Sequence, residues 1–224
     1  MKSRIIIMLT YNDKTVKNAL EVFEQCKDLP VDYWGFKDVG LPQDQMKNLV
    51  TVMKNEGKTT FLEVVTYSEE ECMAGARISV ECGFDYLMGT LFYDSVWNYL
   101  KDKPVKYFPF VGRVHGSPSI LEGTIEGMIE EGRKFASMGV HGVDLLVYRY
   151  GNNAEELASR VVESINIPVV MAGSIDSDEK IRKVNEINPW AFTIGSALFS
   201  GKFKKDGTFR KNLENVIDIM NSIK

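Results

Sequence analysis

The chain predicts an α/β fold, a single-domain (β/α)8 TIM barrel over 1–224. Short apolar runs alternate with longer amphipathic stretches, and counted along the chain they make eight strand-helix units. A length of 224 residues lies near the lower end for this closed barrel and favours it over an open doubly wound sheet. With 44% hydrophobic and 26% charged residues, the chain has ample core to bury.

The strands are expected near 4–10, 32–37, 59–66, 84–89, 105–112, 142–148, 167–172 and 190–195. The first, Ile5-Ile6-Ile7-Met8-Leu9, is too short for a signal peptide or a membrane span, and Asn12 and Asp13 close it. Those two residues suit the N-cap of a helix beginning near Lys14. After the second strand Pro42 suits a first helical position, and Gly57 ends that helix. The third strand leads into a capping box, Ser68 with Glu71, whose helix stops at Gly83. The fifth contains Pro109, which removes a ladder donor, so this strand should be short or bulged. Gly139 ends the next helix, and His141 enters the sixth strand from the rim opposite the catalytic one, a structural position. Asp144 begins that strand, low in the barrel. Asn153 with Glu156, and Asp176 with Glu179, are candidate capping boxes for the sixth and seventh helices. Trp34, Trp97 and Trp190 fit packing between sheet and helices. Tyr86 to Phe92 echoes Phe192 to Phe199, either as a trace of half-barrel duplication or as two ordinary strand ends before helices.

A net charge of −4 argues against nucleic acid or an anionic membrane as partner. The stretch Lys202 to Gly207 reads as a solvated turn before the last helix. Cys26, Cys72 and Cys82 are an odd set without metal-type spacing and fit reduced thiols in a cytoplasm. No metal cluster is expected. Oligomeric state stays open, a homo-oligomer included.

Two late segments, Met171-Ala172-Gly173-Ser174-Ile175-Asp176 and Phe192-Thr193-Ile194-Gly195-Ser196-Ala197-Leu198-Phe199, are apolar strands breaking into small-residue turns that open helices. Adjacent turns of this kind can converge backbone N–H groups and a helix N-terminus on one phosphate. With these turns, the third from Gly142 to Phe203 resembles the phosphate-binding quarter of the barrel enzymes of histidine and tryptophan biosynthesis and their relatives. The resemblance implies a phosphate on backbone groups of Gly173, Ser174, Gly195 and Ser196, hydroxyls adding donors. The alternative for both glycines is conformational need at a tight turn. Arg149, just after the sixth strand, could add a charge or be a solvated ion pair.

Catalytic groups of this fold come from the strand ends on one rim. Lys37, in Gly35-Phe36-Lys37-Asp38, is the first candidate: desolvated, it is a Schiff-base nucleophile or base; paired with a carboxylate, it stays charged and acts as an electrophile. Asp38 or Glu63 could pair it structurally. Glu63 interrupts an apolar strand and must find a partner, Lys37 being the obvious one. Period-two alternation puts Arg113 and His115 on one side of the chain, Arg113 to bind an anionic substrate and His115 to move a proton, unless the histidine only caps loop backbone. Asp13 stands where the resembling isomerases carry a catalytic acid, although capping is the competing role. The histidine-pathway isomerase also needs an aspartate ending its fifth strand, where this chain offers Arg113 and His115. The resembling decarboxylases use Asp-x-Lys-x-x-Asp, of which Phe36-Lys37-Asp38 is only a fragment.

The expected function is that of an isomerase or lyase on a phosphosugar or related phosphometabolite, working through an enediolate or imine. The alternative is a non-catalytic phosphate-ligand-binding barrel, a sensor or assembly module. No cofactor is expected, with a flavin phosphate as the minor alternative.

Overall fold

Register decides which side chains meet inside this protein. A computed structural model describes residues 3–151 and 153–223. Eight parallel strands form one sheet: β1 (Arg4–Met8), β2 (Tyr33–Lys37), β3 (Thr59–Glu63), β4 (Tyr86–Met88), β5 (Lys106–Phe108), β6 (Val143–Leu145), β7 (Val169–Met171) and β8 (Ala191–Ile194). Their order is β6-β7-β8-β1-β2-β3-β4-β5. The ring closes just past β5, where Phe110 bridges Asp144 and the Asp144 N–H donates to the Pro109 carbonyl at 2.9 Å. Proline costs the closure nothing, because there it supplies only an acceptor. As expected, β5 is short.

The outer layer consists of α1 (Ala19–Glu24), α2 (Gln43–Asn55), α3 (Glu69–Cys82), α4 (Asp94–Leu100), α5 (Ile125–Ser137), α6 (Ala154–Ser164), α7 (Asp178–Ile187), α8 (Ser196–Phe199) and α9 (Phe209–Ser222). Ser68 caps α3 as expected by accepting from the Glu71 N–H, but the box is only half formed, because the Glu71 carboxylate accepts from the Ser68 hydroxyl at 2.6 Å rather than from its backbone N–H. Pro42 precedes α2 as its N-cap rather than filling the first helical position. Two expected boxes are absent. Asn153 sits in the left-handed region at φ 67° with no side-chain cap, and α7 is capped by Ser177, which accepts from the Lys180 N–H. Asp176 instead binds the Lys180 ammonium at 2.8 Å. No helix among the described residues is long and apolar enough to cross a membrane. All three cysteines are free and buried.

Two apolar cores follow from the alternation of strand side chains. The larger lies between sheet and helices and takes in Trp34 and Trp97. The smaller fills the barrel with Ile6, Met8, Phe61, Tyr86, Met88, Phe108, Val170 and Ala191, and Trp190 packs here rather than outside as expected. At the amino-terminal end of the strands the Trp190 ring lies 5.7, 5.6 and 5.5 Å from Tyr33, Tyr86 and Phe108. Arg4 covers Trp190 at 5.6 Å and Lys106 covers Tyr86 at 5.3 Å. Each such ring pair adds roughly 0.5–1.5 kcal/mol beyond its buried area, so this end is a rigid floor. Gly142 makes room for it: a Cβ there would stand 2.1 Å from the Phe108 ring.

The Tyr86/Phe192 echo does not extend to backbone geometry. Gly89 has φ 89° and α4 begins only at Asp94, whereas Gly195 has φ −134° and α8 begins at once.

Candidate functional site

Lys37 ends β2 and Glu63 ends β3, and the two are register partners. Both side chains enter a cavity of about 230 Å³ at the carboxyl-terminal ends of the strands. The chain after β1 completes this corner differently from expectation. No helix begins at Lys14; Thr10–Tyr11 and Lys14–Thr15 form a two-stranded hairpin whose turn residues Asn12 and Asp13 have φ 49° and 59°. The left-handed conformations demanded by such a turn suit Asn and Asp, the same residue types that cap helices. The Thr15 hydroxyl donates to the Lys37 carbonyl at 2.7 Å and accepts from the Lys37 N–H at 2.9 Å, locking the hairpin over β2.

Asp13 thereby reaches the Lys37 ammonium at 3.0 Å, while Glu63 stands 4.0 Å from it. Burial pushes the lysine down, but Glu63 and Asp13 outweigh it, and Lys37 is held above the ordinary lysine range. At neutral pH it is an ammonium and a poor imine-forming nucleophile.

On the opposite wall, the turns after β7 and β8 line the same cavity together with Arg149, which follows β6. Among the described residues, the backbone N–H groups of Gly173, Ser174 and Gly195 have no protein acceptor. Gly173 has φ 86° and a Cβ there would lie 3.0 Å from Arg149 Cγ, so turn conformation and close approach both require glycine. Ser174 is left-handed as well, and its carbonyl accepts from the Lys180 ammonium at 2.7 Å. A Cβ on Gly195 would meet Met8 Cβ at 3.0 Å, so packing against β1 is itself a reason for that glycine. The Ser196 hydroxyl donates to the Thr10 carbonyl at 3.4 Å. Arg149 is half-buried and its guanidinium has no partner among the described residues.

Three sequence candidates stand apart from this cavity. Arg113 and His115 do share a side, as alternation requires, but they lie on a short strand, Arg113–His115, paired antiparallel with Ile120–Glu122. That hairpin leaves the barrel wall just after the closing contacts of residues 109–111, and both side chains bind the Glu122 carboxylate, His115 at 2.9 Å. Neither lines the cavity. Asp38, one residue past Lys37, points to the other side of the strand; burial raises its carboxyl to about 6, with the Lys37 charge opposing. His141 has the structural role expected of it, its Nδ1 accepting from the Tyr107 N–H at 3.1 Å.

Sequence reading missed several cavity residues. Lys202, expected in a solvated turn, lines the cavity, and its ammonium has no partner among the described residues. Asp176 and Ser119 line it too, the latter held by the Tyr67 hydroxyl at 2.9 Å. Asp144 lies in the middle of β6 rather than at its start and is fully buried. Its signal was the one that singled out Glu63, an acid inside an apolar strand. No group of three or more His, Cys, Asp or Glu residues among those described is arranged to hold a metal ion.

No protein-family model matches the chain, and no curated protein matches it in sequence. Solved structures do. Orotidine 5'-phosphate decarboxylase from Pyrococcus horikoshii OT3 is similar at TM-score 0.73 and 13% identity, over 98% of this chain and 100% of that one. N-acetylmannosamine-6-phosphate 2-epimerase from Clostridium perfringens gives 0.65 and 12%, over 97% and 93%. A chain of the tryptophan synthase complex from Pyrococcus furiosus gives 0.70 and 14%, over 97% and 100%. The shared property is the fold. At such identities a common barrel says nothing by itself about reaction.

Proposed function

We propose that the protein is an enzyme acting on a small phosphorylated metabolite, with isomerase or lyase chemistry at a carbon next to a carbonyl. One observation carries this reading: Lys37 with its two carboxylates shares a cavity with Arg149, Lys202 and two turns whose N–H groups, like those two cations, have no partner among the described residues. Phosphate bound by the turns, Arg149 and Lys202 would hold the other end of the molecule against Lys37. The ammonium then stabilises negative charge developing on the carbonyl oxygen, and Glu63 or Asp13 takes the proton from the adjacent carbon. An enediolate fits this arrangement better than an imine, because the flanking acids keep Lys37 protonated. A cavity of about 230 Å³ suits a compact phosphometabolite better than a flavin phosphate, since pockets for larger ligands run to roughly 300–1,000 Å³. The likeness to enzymes named for a nucleotide 5'-phosphate and an amino-sugar 6-phosphate supports the same substrate chemistry. Arg113 and His115 have no part in the chemistry proposed.

The test is a panel of sugar and amino-sugar phosphates followed by solvent-deuterium exchange at carbon and by product analysis. Exchange that depends on Lys37 and on the substrate's phosphate supports the reading. Binding without exchange or product would instead make the protein a sensor or assembly module.

A further inference from the structure

Asp144 is fully buried, and neither of its carboxylate oxygens has a hydrogen-bond partner among the described residues. Its neighbours on β6, Val143 and Leu145, face the outer core, and its register partner on β7, Val170, belongs to the cluster inside the barrel. The carboxyl group therefore points inward. The charged groups that act on it are Glu63 from β3 and Lys37 from β2, the pair that borders the cavity above. An ionised carboxylate so placed would draw the nearest cation to itself, because a buried charge is tolerated only when paired. Lys37 does the opposite: its ammonium reaches Asp13 at the mouth, at 3.0 Å, and makes no hydrogen bond to Asp144.

We propose that Asp144 is a positioning residue, a carboxylic acid kept neutral inside the barrel so that the Lys37 ammonium stays turned toward the cavity and Glu63 remains its inner anion. Burial holds the Asp144 proton in place, the nearby Glu63 charge reinforces this and the Lys37 charge opposes it. With Asp13, Glu63 and Asp38 already acting on the one ammonium, an ionised Asp144 would add a further buried negative charge with no cation of its own; retention of the proton on this least hydrated acid avoids it. No step of this inference depends on which molecule the cavity binds.

Carbon NMR of the full-length protein, labelled at aspartate carboxyl and lysine ε carbons, tests it across a pH titration. The carboxyl resonance lost in Asp144→Asn is expected at the protonated-acid position at neutral pH in the wild type. As pH rises, the wild-type Lys37 signal should show an inflection coincident with the Asp144 titration, as the ammonium responds to the new anion. That inflection should vanish in Asp144→Asn while the neutral-pH Lys37 signal stays in place. A purely packing role would leave the Lys37 profile identical in both proteins and overturns the proposal, as does an Asp144 resonance at the carboxylate position at neutral pH. Should Asp144→Asn not fold, the wild-type resonances and the stability of Asp144→Leu decide. Stability of the leucine variant at or above wild type at neutral pH supports a neutral, unpartnered acid, and unfolding of both variants overturns it.

Discussion

Replacing Arg149 by Met probes the anion site without needing the substrate. The guanidinium is half-buried beside Gly173 and has no ion-pair partner among the described residues, so its charge is open to an oxyanion bound there. A hydrogen bond to a charged group is worth about 1.5–3 kcal/mol. At about 1.4 kcal/mol per tenfold, Arg149→Met should weaken inorganic phosphate binding by roughly 10- to 100-fold. Phosphate at ten times the wild-type Kd stabilises the folded state by about 1.4 kcal/mol. For a chain of this size that is a rise in Tm of about 3–6 °C, which should shrink to about 1 °C or less in the variant. Thermal unfolding with and without phosphate at fixed ionic strength reads this, and titration calorimetry supplies the Kd. Arg113→Met is the control, because its guanidinium binds Glu122 on the hairpin outside the cavity. A wild-type phosphate response in Arg149→Met, or its loss in Arg113→Met, would refute the placement of the anion site.

Lys37→Met should lower turnover about 10²- to 10³-fold, the cost of losing one preorganised donor to developing charge, with circular dichroism unchanged. The same variant should lose stability at neutral pH, read by chemical denaturation, because it strands the Glu63 carboxylate. Asp38 carries an acid raised from 3.8 to about 6, so its folded form binds more protons than the unfolded chain between those values, and stability falls as pH climbs through them. Asp38→Asn should therefore be more stable than wild type at pH 7, by about 1 kcal/mol once residual hydration discounts the shift, with no difference below about pH 4; chemical denaturation at both pH values checks it. Gly142→Ala should cost about 1–3 kcal/mol by driving a methyl into the Phe108 ring, and Phe108→Leu in the same chain should restore part of the Tm.

The barrel was legible because its signals are local and repeated: apolar runs at a strand's length, Gly83 in the left-handed region after α3, and a hydroxyl cap at Ser68. Lys37 and Glu63 were legible for a related reason, since a charge inside an apolar strand must find company, and here register made the two neighbours. The excursions were harder. Asn12 and Asp13 serve a tight turn or a helix start equally well, and only the pairing of Thr10 with Thr15 decides. Alternation placed Arg113 and His115 together correctly but could not say on which sheet; the left-handed Gly112, Gly116 and Gly123, at φ 81°, 82° and 120°, mark where the chain bends away. Lys202 was hidden because its role comes from the packing of α8 against α9, a tertiary fact with no local pattern. Asp144 carries the same mark as Glu63, but its height in the strand depends on where β6 begins, which the sequence does not fix.

The layer of Tyr33, Tyr86, Phe108 and Trp190 under Arg4 and Lys106 makes the interior a blind well. Whatever enters past Asp13 and Ser119 must leave by the same doorway, so under the proposed function product and substrate would compete for one passage and could not follow each other through the protein. Inhibition by accumulated product should accordingly be competitive, and swapping side chains at the rim should alter release as much as capture.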